Sequence, residues 1–281
     1  MNILKIAAFA DGDKGGNPAG VVFCNEMPDE KTMLNLAKQL GYSETAFLKS
    51  FQDGWRIRYF SPEMEVPFCG HATIACGAAL GDRYGEGVYK LFLNTDEISI
   101  DVTKSGNGGF VAALQSPGTW SKAAPRKYVE DIIQQFQFTA TDIDSKFPIH
   151  FAFAGAKHLI IFLKERKTLA EMKYDFERTR VLMLKEDVAT ISLLWQESHG
   201  LFHARNAFAP GGVYEDPATG AAAAALAGYL RDVGWQGSRS FEIVQGEDMG
   251  CPSRLFVEFT SDSGASIRVA GEARYMGEAD G

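Results

Sequence analysis

Cysteine is scarce and scattered. Cys24, Cys69, Cys76 and Cys251 share no C-x-x-C spacing and outline no disulfide framework, which points to a reducing compartment. Cys69-Gly70-His71 could ligate a metal, but no second pair stands nearby in sequence. His199 and His203, four apart, fall where the chain reads as turn then strand. No metal site is therefore expected. Basic runs are missing too: 28 Lys and Arg stand against 36 Asp and Glu, a net charge of −8. Phosphate backbones and anionic membranes need clustered Lys and Arg, so neither nucleic acid nor membrane is an expected partner. A small anionic ligand stays open, because a helix end can dominate a pocket locally. Long apolar runs are absent as well. The apolar stretches near 72–80 and 221–230 are too short to cross a bilayer. Met1 to Ala10 lacks the layout of a signal peptide, so a cytoplasmic enzyme or binding protein is the default expectation.

What is present is a part used twice. Glu65-Val66-Pro67-Phe68-Cys69-Gly70-His71-Ala72 is matched by Glu215-Asp216-Pro217-Ala218-Thr219-Gly220-Ala221-Ala222. Subtraction gives one offset, with 215−65, 217−67 and 220−70 all equal to 150. Each stretch reads as a Pro-ended strand or turn, a glycine, and a helix of small apolar residues. A helix N-terminus carries free N–H groups and partial positive charge, so it attracts carboxylates and phosphates. Two such starts, beside His71 and Asp216, suggest one anion-binding site between two halves. Two buried helices that need glycine for close packing would give the same pattern.

The order of elements extends the repeat. Ile3 to Ala10 and Ala19 to Cys24 read as strands around the turn Gly15-Gly16-Asn17-Pro18. Asp29 caps a helix that runs through Gln39 and stops at Gly41. Thr45 to Ser50 and Trp55 to Phe60 form a hairpin. In the second half, a helix from Phe176 to Lys185 precedes strands at Thr190 to Trp195 and Leu201 to Phe208. Phe60-Ser61-Pro62 matches Phe208-Ala209-Pro210 at an offset of 148 (208−60), which makes Ser192 the counterpart of Glu44. Later strands are expected at Ser240 to Gln245, Arg254 to Thr260 and Ala265 to Ala270. The halves join between Pro117 and Pro125, giving domains 1–118 and 119–281, with the last strand able to cross back. Duplication explains this order. Ala72 to Leu80 and Ala221 to Leu230 carry no charge, so each helix should be buried all round. The expected fold is α+β, with each half a curved, mostly antiparallel sheet around one central helix.

These residues resemble the phenazine-biosynthesis PhzF-like family. The resemblance is carried by Gly16-Asn17-Pro18-Ala19-Gly20-Val21-Val22, Ser43-Glu44-Thr45-Ala46-Phe47, Phe60-Ser61-Pro62, Cys69-Gly70-His71-Ala72-Thr73, Glu215-Asp216-Pro217-Ala218-Thr219-Gly220, Gln245-Gly246 and Pro252-Ser253, in family order over almost the whole chain. It implies a diaminopimelate-epimerase-like fold of two pseudo-symmetric domains, an active site between them, a homodimer and no cofactor. The implied chemistry is isomerisation of a small carboxylate by moving a proton. On the resemblance, Glu44 is the catalytic glutamate, and a carboxylate can remove a proton from carbon and return it elsewhere. Without it, Glu44 reads as an exposed polar residue at a strand start. His71 would donate a hydrogen bond or share the relay, or else cap its own helix. Asp216 would orient a substrate amine or His71, or else stabilise a helix dipole. Asn17, Gly70, Ala72, Gly220 and Ala221 are the candidate substrate contacts, although turn chemistry alone accounts for Asn17.

One departure stands out. Where the family often has serine after Thr219-Gly220, this chain has Ala221, so a hydroxyl that could bind substrate is absent. A non-catalytic small-carboxylate binding protein on the same fold is therefore the alternative function. A two-thiol racemase or epimerase is a further reading. Cys69 stands where its first thiol would be, but the matching second position is Thr219, which cannot serve as a thiolate.

Overall fold

The computed structural model describes residues 2–106 and 109–277. The chain divides into two compact units: one holds the chain up to Gln115 and from Ala270 onward, the other Ser116–Val269. Among the described residues, no helix is long and apolar enough to cross a membrane.

In the first unit, β1 (Ile3–Ala8), β2 (Asn17–Cys24), α1 (Glu30–Leu40), β3 (Glu44–Phe51), β4 (Gly54–Phe60) and β5 (Glu65–Val66) lead to α2 (Gly70–Tyr84). Then follow β6 (Gly87–Phe92), β7 (Glu97–Lys104) and β8 (Phe110–Gln115). The strand pairs β1–β2, β2–β3, β3–β4, β4–β6, β6–β7 and β7–β8 make a continuous wall. The last strand of the chain, Arg268–Tyr275, pairs with both β8 and β1 and closes it into an eight-stranded barrel. Closure removes the unpaired edges that an open sheet would expose. That strand was expected at Ala265 to Ala270. It starts later because Ala265 still belongs to a turn, its N–H donating to Asp262 O at 3.2 Å.

The barrel wraps α2. Every residue from His71 to Gly81 is buried, as expected for a helix apolar on all sides. Glycine sets how close the wall comes. A Cβ on Gly77 would lie 2.6 Å from both Ala112 Cβ and Ile100 Cδ1. β7 and β8 thus pack against the helix backbone, where a side chain would force them apart. The helix on the outside is α1, capped as its sequence predicts. Asp29 Oδ1 accepts from Thr32 N at 2.9 Å, and Gly41 takes the left-handed conformation at φ 73°.

The second unit repeats this order with insertions. Its elements are β9 (Trp120–Ala123), α3 (Arg126–Gln135), β10 (His150–Phe153), β11 (Lys157–Phe162), α4 (Arg166–Ala170), α5 (Phe176–Lys185), β12 (Thr190–Ser198), β13 (Leu201–Ala207) and β14 (Glu215–Asp216). They lead to the buried helix α6 (Gly220–Asp232), then β15 (Ser240–Gln245), β16 (Ser253–Glu258) and β17 (Arg268–Tyr275), which starts here and runs into the first unit. The helices α3 and α5 pack on one face with Ile132, Phe136, Met183 and Ile191 in their core.

Strand register corrects one correspondence read from the sequence. Phe60 pairs with Glu65, and Ala207 with Glu215. Thr45 pairs with Phe60, and Ile191 with Ala207. The offsets are therefore 215−65 = 150 at the turn, 207−60 = 147 in the next strand and 191−45 = 146 in the one before. Glu44 corresponds to Thr190, not Ser192, and Phe60 to Ala207, not Phe208. The loop between β13 and β14 carries three extra residues, and the β12–β13 pairing has a register shift between Gln196 and Ser198. A constant sequence offset cannot follow either.

Thr190 has its own partner. His158, one strand away, places Nδ1 2.8 Å from Thr190 Oγ1. Burial holds His158 neutral, pushing its pKa down to about 3. Below the ordinary value of about 6.5 the unfolded chain takes up a proton that the folded chain refuses. Stability is thus full above that value and is lost as pH falls from 6.5 toward 3. From pH 7 to pH 5 the wild type should lose about 2 kcal/mol more than His158→Gln in urea unfolding. Equal losses in the two proteins would contradict this.

Candidate active site

The short strand β5 pins the loop that enters α2. Cys69 then sits in extended conformation as its N-cap, with no side-chain cap hydrogen bond. The first bond inside the helix runs from Thr73 N to Cys69 O at 3.0 Å. The N–H groups of Gly70, His71 and Ala72 consequently have no partner within the helix. The helix α6 begins the same way. Thr219 makes no side-chain cap bond, and Ala223 N makes the first helical bond, to Thr219 O at 3.0 Å. The N–H groups of Gly220, Ala221 and Ala222 are thereby left over. Among the outer helices, Asp29 caps α1 and Asp175 caps α5, whereas α3 and α4 also begin without a side-chain cap. The two buried helices thus begin without the side-chain cap that satisfies such donors in α1 and α5, which suits a bound carboxylate.

In the first unit, three elements bring a polar cluster to the start of α2. His71 Nε2 lies 3.3 Å from Glu44 Oε2 and 3.3 Å from Ser43 Oγ. On the other side of the ring, Nδ1 lies 3.3 Å from Cys69 Sγ. The Glu44 and His71 side chains are only 17% and 9% exposed. With its proton on Nε2, the imidazole donates to the Glu44 carboxylate and accepts the Cys69 S–H at Nδ1. The ring therefore bonds to side chains rather than capping its own helix. Tyr59 and Thr73 brace the turn from below, with their hydroxyls 2.7 Å apart and Thr73 donating to Cys69 O at 2.7 Å. Asn17 is buried at the start of β2. It lies two residues before Ala19, the partner of Glu44, and hence on the same strand face.

In the second unit, Asp216 is buried in β14, opposite Asn206. Its carboxylate accepts from the Thr219 hydroxyl. Gln245 holds this turn with its whole amide. Oε1 accepts from Thr219 N and from Asn206 Nδ2, each at 3.2 Å. Nε2 donates to Asp216 O at 2.7 Å and to Thr219 Oγ1 at 3.1 Å. Ala221 occupies the first turn of α6 with no hydroxyl to offer.

Sequence reasoning treated Ser43 and Gln245 only as parts of motifs. Gly246, left-handed at φ 73°, is the local signal that Gln245 ends a strand at a fixed turn. A Cβ on Gly246 would lie 2.2 Å from Cys251 O, so the turn admits only glycine. The structure also adds a third polar group to Cys69 and His71, which looked alone in sequence. Ligand atoms of Glu44, Cys69 and His71 all lie within 4.8 Å of one another.

The chain matches the phenazine biosynthesis-like family, PhzC-PhzF, over residues 6–279. It is 28% identical to an uncharacterized isomerase of Bacillus subtilis, over 97% of this chain and 96% of that protein. It is 30% identical to the trans-2,3-dihydro-3-hydroxyanthranilate isomerase of Pseudomonas aeruginosa, over 98% of this chain and 97% of that one. A PhzF-family phenazine biosynthesis protein of Bacillus anthracis superposes with a TM-score of 0.86 at 25% identity, covering 99% of this chain and 98% of that one. A probable proline racemase from Agrobacterium radiobacter shares the fold at 12% identity, with a TM-score of 0.66 over 98% of this chain and 91% of that one. With the repeated barrel-and-helix order, these similarities establish a diaminopimelate-epimerase-like fold. The chain belongs to the PhzC-PhzF family of phenazine biosynthesis-like proteins and is an isomerase of that family.

Proposed function

We propose that the protein isomerises a small carboxylate without a cofactor, by moving a proton with Glu44 as general acid and base. The observation that carries this reading is the shielded pair of Glu44 Oε2 and His71 Nε2, 3.3 Å apart beside an uncapped helix start. A carboxylate can take a proton from carbon and return it to another carbon. An imidazole at that distance holds the carboxylate in place and stabilises whichever form results. The N–H groups of Gly70, His71 and Ala72 would bind the substrate's own carboxylate. Thr190 at the corresponding position of the second unit is not an acid, which fits a single base serving one face of the substrate. Asp216 and the first turn of α6, including Gly220 and Ala221, are proposed as the substrate contacts that the second unit offers. A cytoplasmic homodimer belongs to the same proposal, and analytical ultracentrifugation tests its stoichiometry.

The relatives named for trans-2,3-dihydro-3-hydroxyanthranilate make that compound the first substrate to offer, although Ala221 argues for a different natural one. Chelator-treated protein should convert it, or one of a panel of small amino and hydroxy carboxylates, to an isomer detectable by NMR. Turnover that disappears on chelation and returns with one metal would overturn the cofactor-free reading. Ala221 favours one alternative, a carboxylate-binding protein without turnover. Saturable binding with no isomer formed from any bound compound would select it.

A further inference from the structure

We propose that Glu44, Cys69 and His71 form a binding site for Zn2+ or a similar divalent transition metal. Their ligand atoms already lie within 4.8 Å of one another. His71 Nε2 is 3.3 Å from Glu44 Oε2 and 3.9 Å from Cys69 Sγ. Zinc bonds of about 2.0 Å to nitrogen, 2.0–2.2 Å to carboxylate oxygen and 2.3 Å to sulfur, set tetrahedrally, need N···O near 3.3 Å and N···S near 3.5 Å. The carboxylate thus already stands at the required distance from Nε2, whereas the thiol, now 3.3 Å from Nδ1, must swing from that side of the ring toward Nε2.

The donor set fits the same ion. One thiolate, one imidazole and one carboxylate mix soft and hard ligands, as borderline Zn2+ prefers and Mg2+ or Ca2+ do not. A thiolate and a carboxylate balance the two charges of the metal, so the neutral sum suits a nearly buried site. The partial positive charge at the start of α2 opposes a bare cation but favours the Cys69 thiolate that would hold it. The Ser43 hydroxyl, 3.3 Å from Nε2, or a water can complete four-coordination. On binding, the Cys69 S–H bond breaks, its electron pair becomes the S–Zn bond, and the proton leaves to solvent. Affinity should therefore rise with pH. A bound ion would also occupy the oxygen and nitrogen that the proposed proton transfer needs, so the site is one for a reversible inhibitor. The binding itself does not depend on that transfer.

Co2+ is the probe, because a cobalt–thiolate bond gives a near-ultraviolet charge-transfer band that needs no substrate. Reduced, chelator-stripped protein is titrated anaerobically with Co2+, and Zn2+ is then used to displace it. The expected result is one Co2+ per chain with the charge-transfer band, tighter at pH 8 than at pH 6. Cys69→Ser should lose the band. Glu44→Gln, which preserves shape, should weaken binding by on the order of tenfold or more. Cys24→Ser and Cys251→Ser should leave both unchanged. Circular dichroism confirms that each variant is folded. Absence of the band, its survival in Cys69→Ser, or unchanged affinity in Glu44→Gln would each overturn the proposal.

Discussion

Glu44→Gln should lower kcat by about 10²- to 10⁴-fold, the usual contribution of a positioned acid–base group, while KM changes little. The amide keeps the size of the side chain, and its oxygen can still accept from His71 Nε2–H. Binding and fold should therefore survive while the proton carrier is lost. The residue in the corresponding register position of the second unit, Thr190, is not an acid and is already bonded to His158. Ser43 Oγ lies equally near the ring nitrogen, but a hydroxyl is far too weak a base at neutral pH to take over. Steady-state kinetics on any accepted substrate, with circular dichroism on both proteins, checks this. A variant within about threefold of wild type would remove Glu44 from the mechanism.

The second large effect concerns stability, and the duplication supplies its own control. Each unit pairs an arginine with the glutamate of its repeated turn. Arg58 Nε donates to Glu65 Oε1 at 2.8 Å, and Arg205 Nε to Glu215 Oε1 at 2.9 Å. A second guanidinium nitrogen makes a parallel bond in both. Their surroundings differ. Arg58 and Glu65 are 20% and 19% exposed, whereas Arg205 and Glu215 are 9% and 3% exposed. Burial works against the Arg205 charge, yet Glu215 beside it leaves its pKa above the ordinary value. Glu215→Leu would strand a buried guanidinium, with Ala170 O at 2.8 Å as its nearest remaining partner. The expected cost is about 3–5 kcal/mol. Glu65→Leu frees a guanidinium that reaches water and should cost about 1 kcal/mol. Urea unfolding of the two variants measures both, and equal costs would contradict the burial argument.

The sequence was most readable where one residue fixes local geometry. Asp29 and Gly41 bound α1 because a cap and a left-handed stop act within one turn. The charge-free runs after Gly70 and Gly220 announced the two central helices, since only a fully enclosed helix can do without polar residues. The strands β6 to β8 were not called, and β17 was misplaced by three residues at its start. A barrel strand faces the core on one side only, so its polar half masks it in a one-dimensional reading. The correspondence between units blurred for a related reason. Insertions in the turns changed the offset from 146 to 150 along the repeat, and only strand pairing tracks that drift. Around the candidate site, His71 and Asp216 stood out because they flank helix starts. The approach of Glu44 to Cys69, 25 positions later (69−44), depends on β3 and α2 packing together and has no local signature.

The central claim is that Glu44 carries a proton between carbon atoms, and its most direct test is isotopic. A substrate turned over in heavy water by wild type and by Glu44→Gln is analysed by NMR for deuterium bound to carbon. The account predicts deuterium at the carbon that receives the proton with wild type, and uptake slower by about 10²-fold or more with the variant. Isomerisation by wild type with no exchangeable hydrogen moved, or equal uptake by the two proteins, would contradict it.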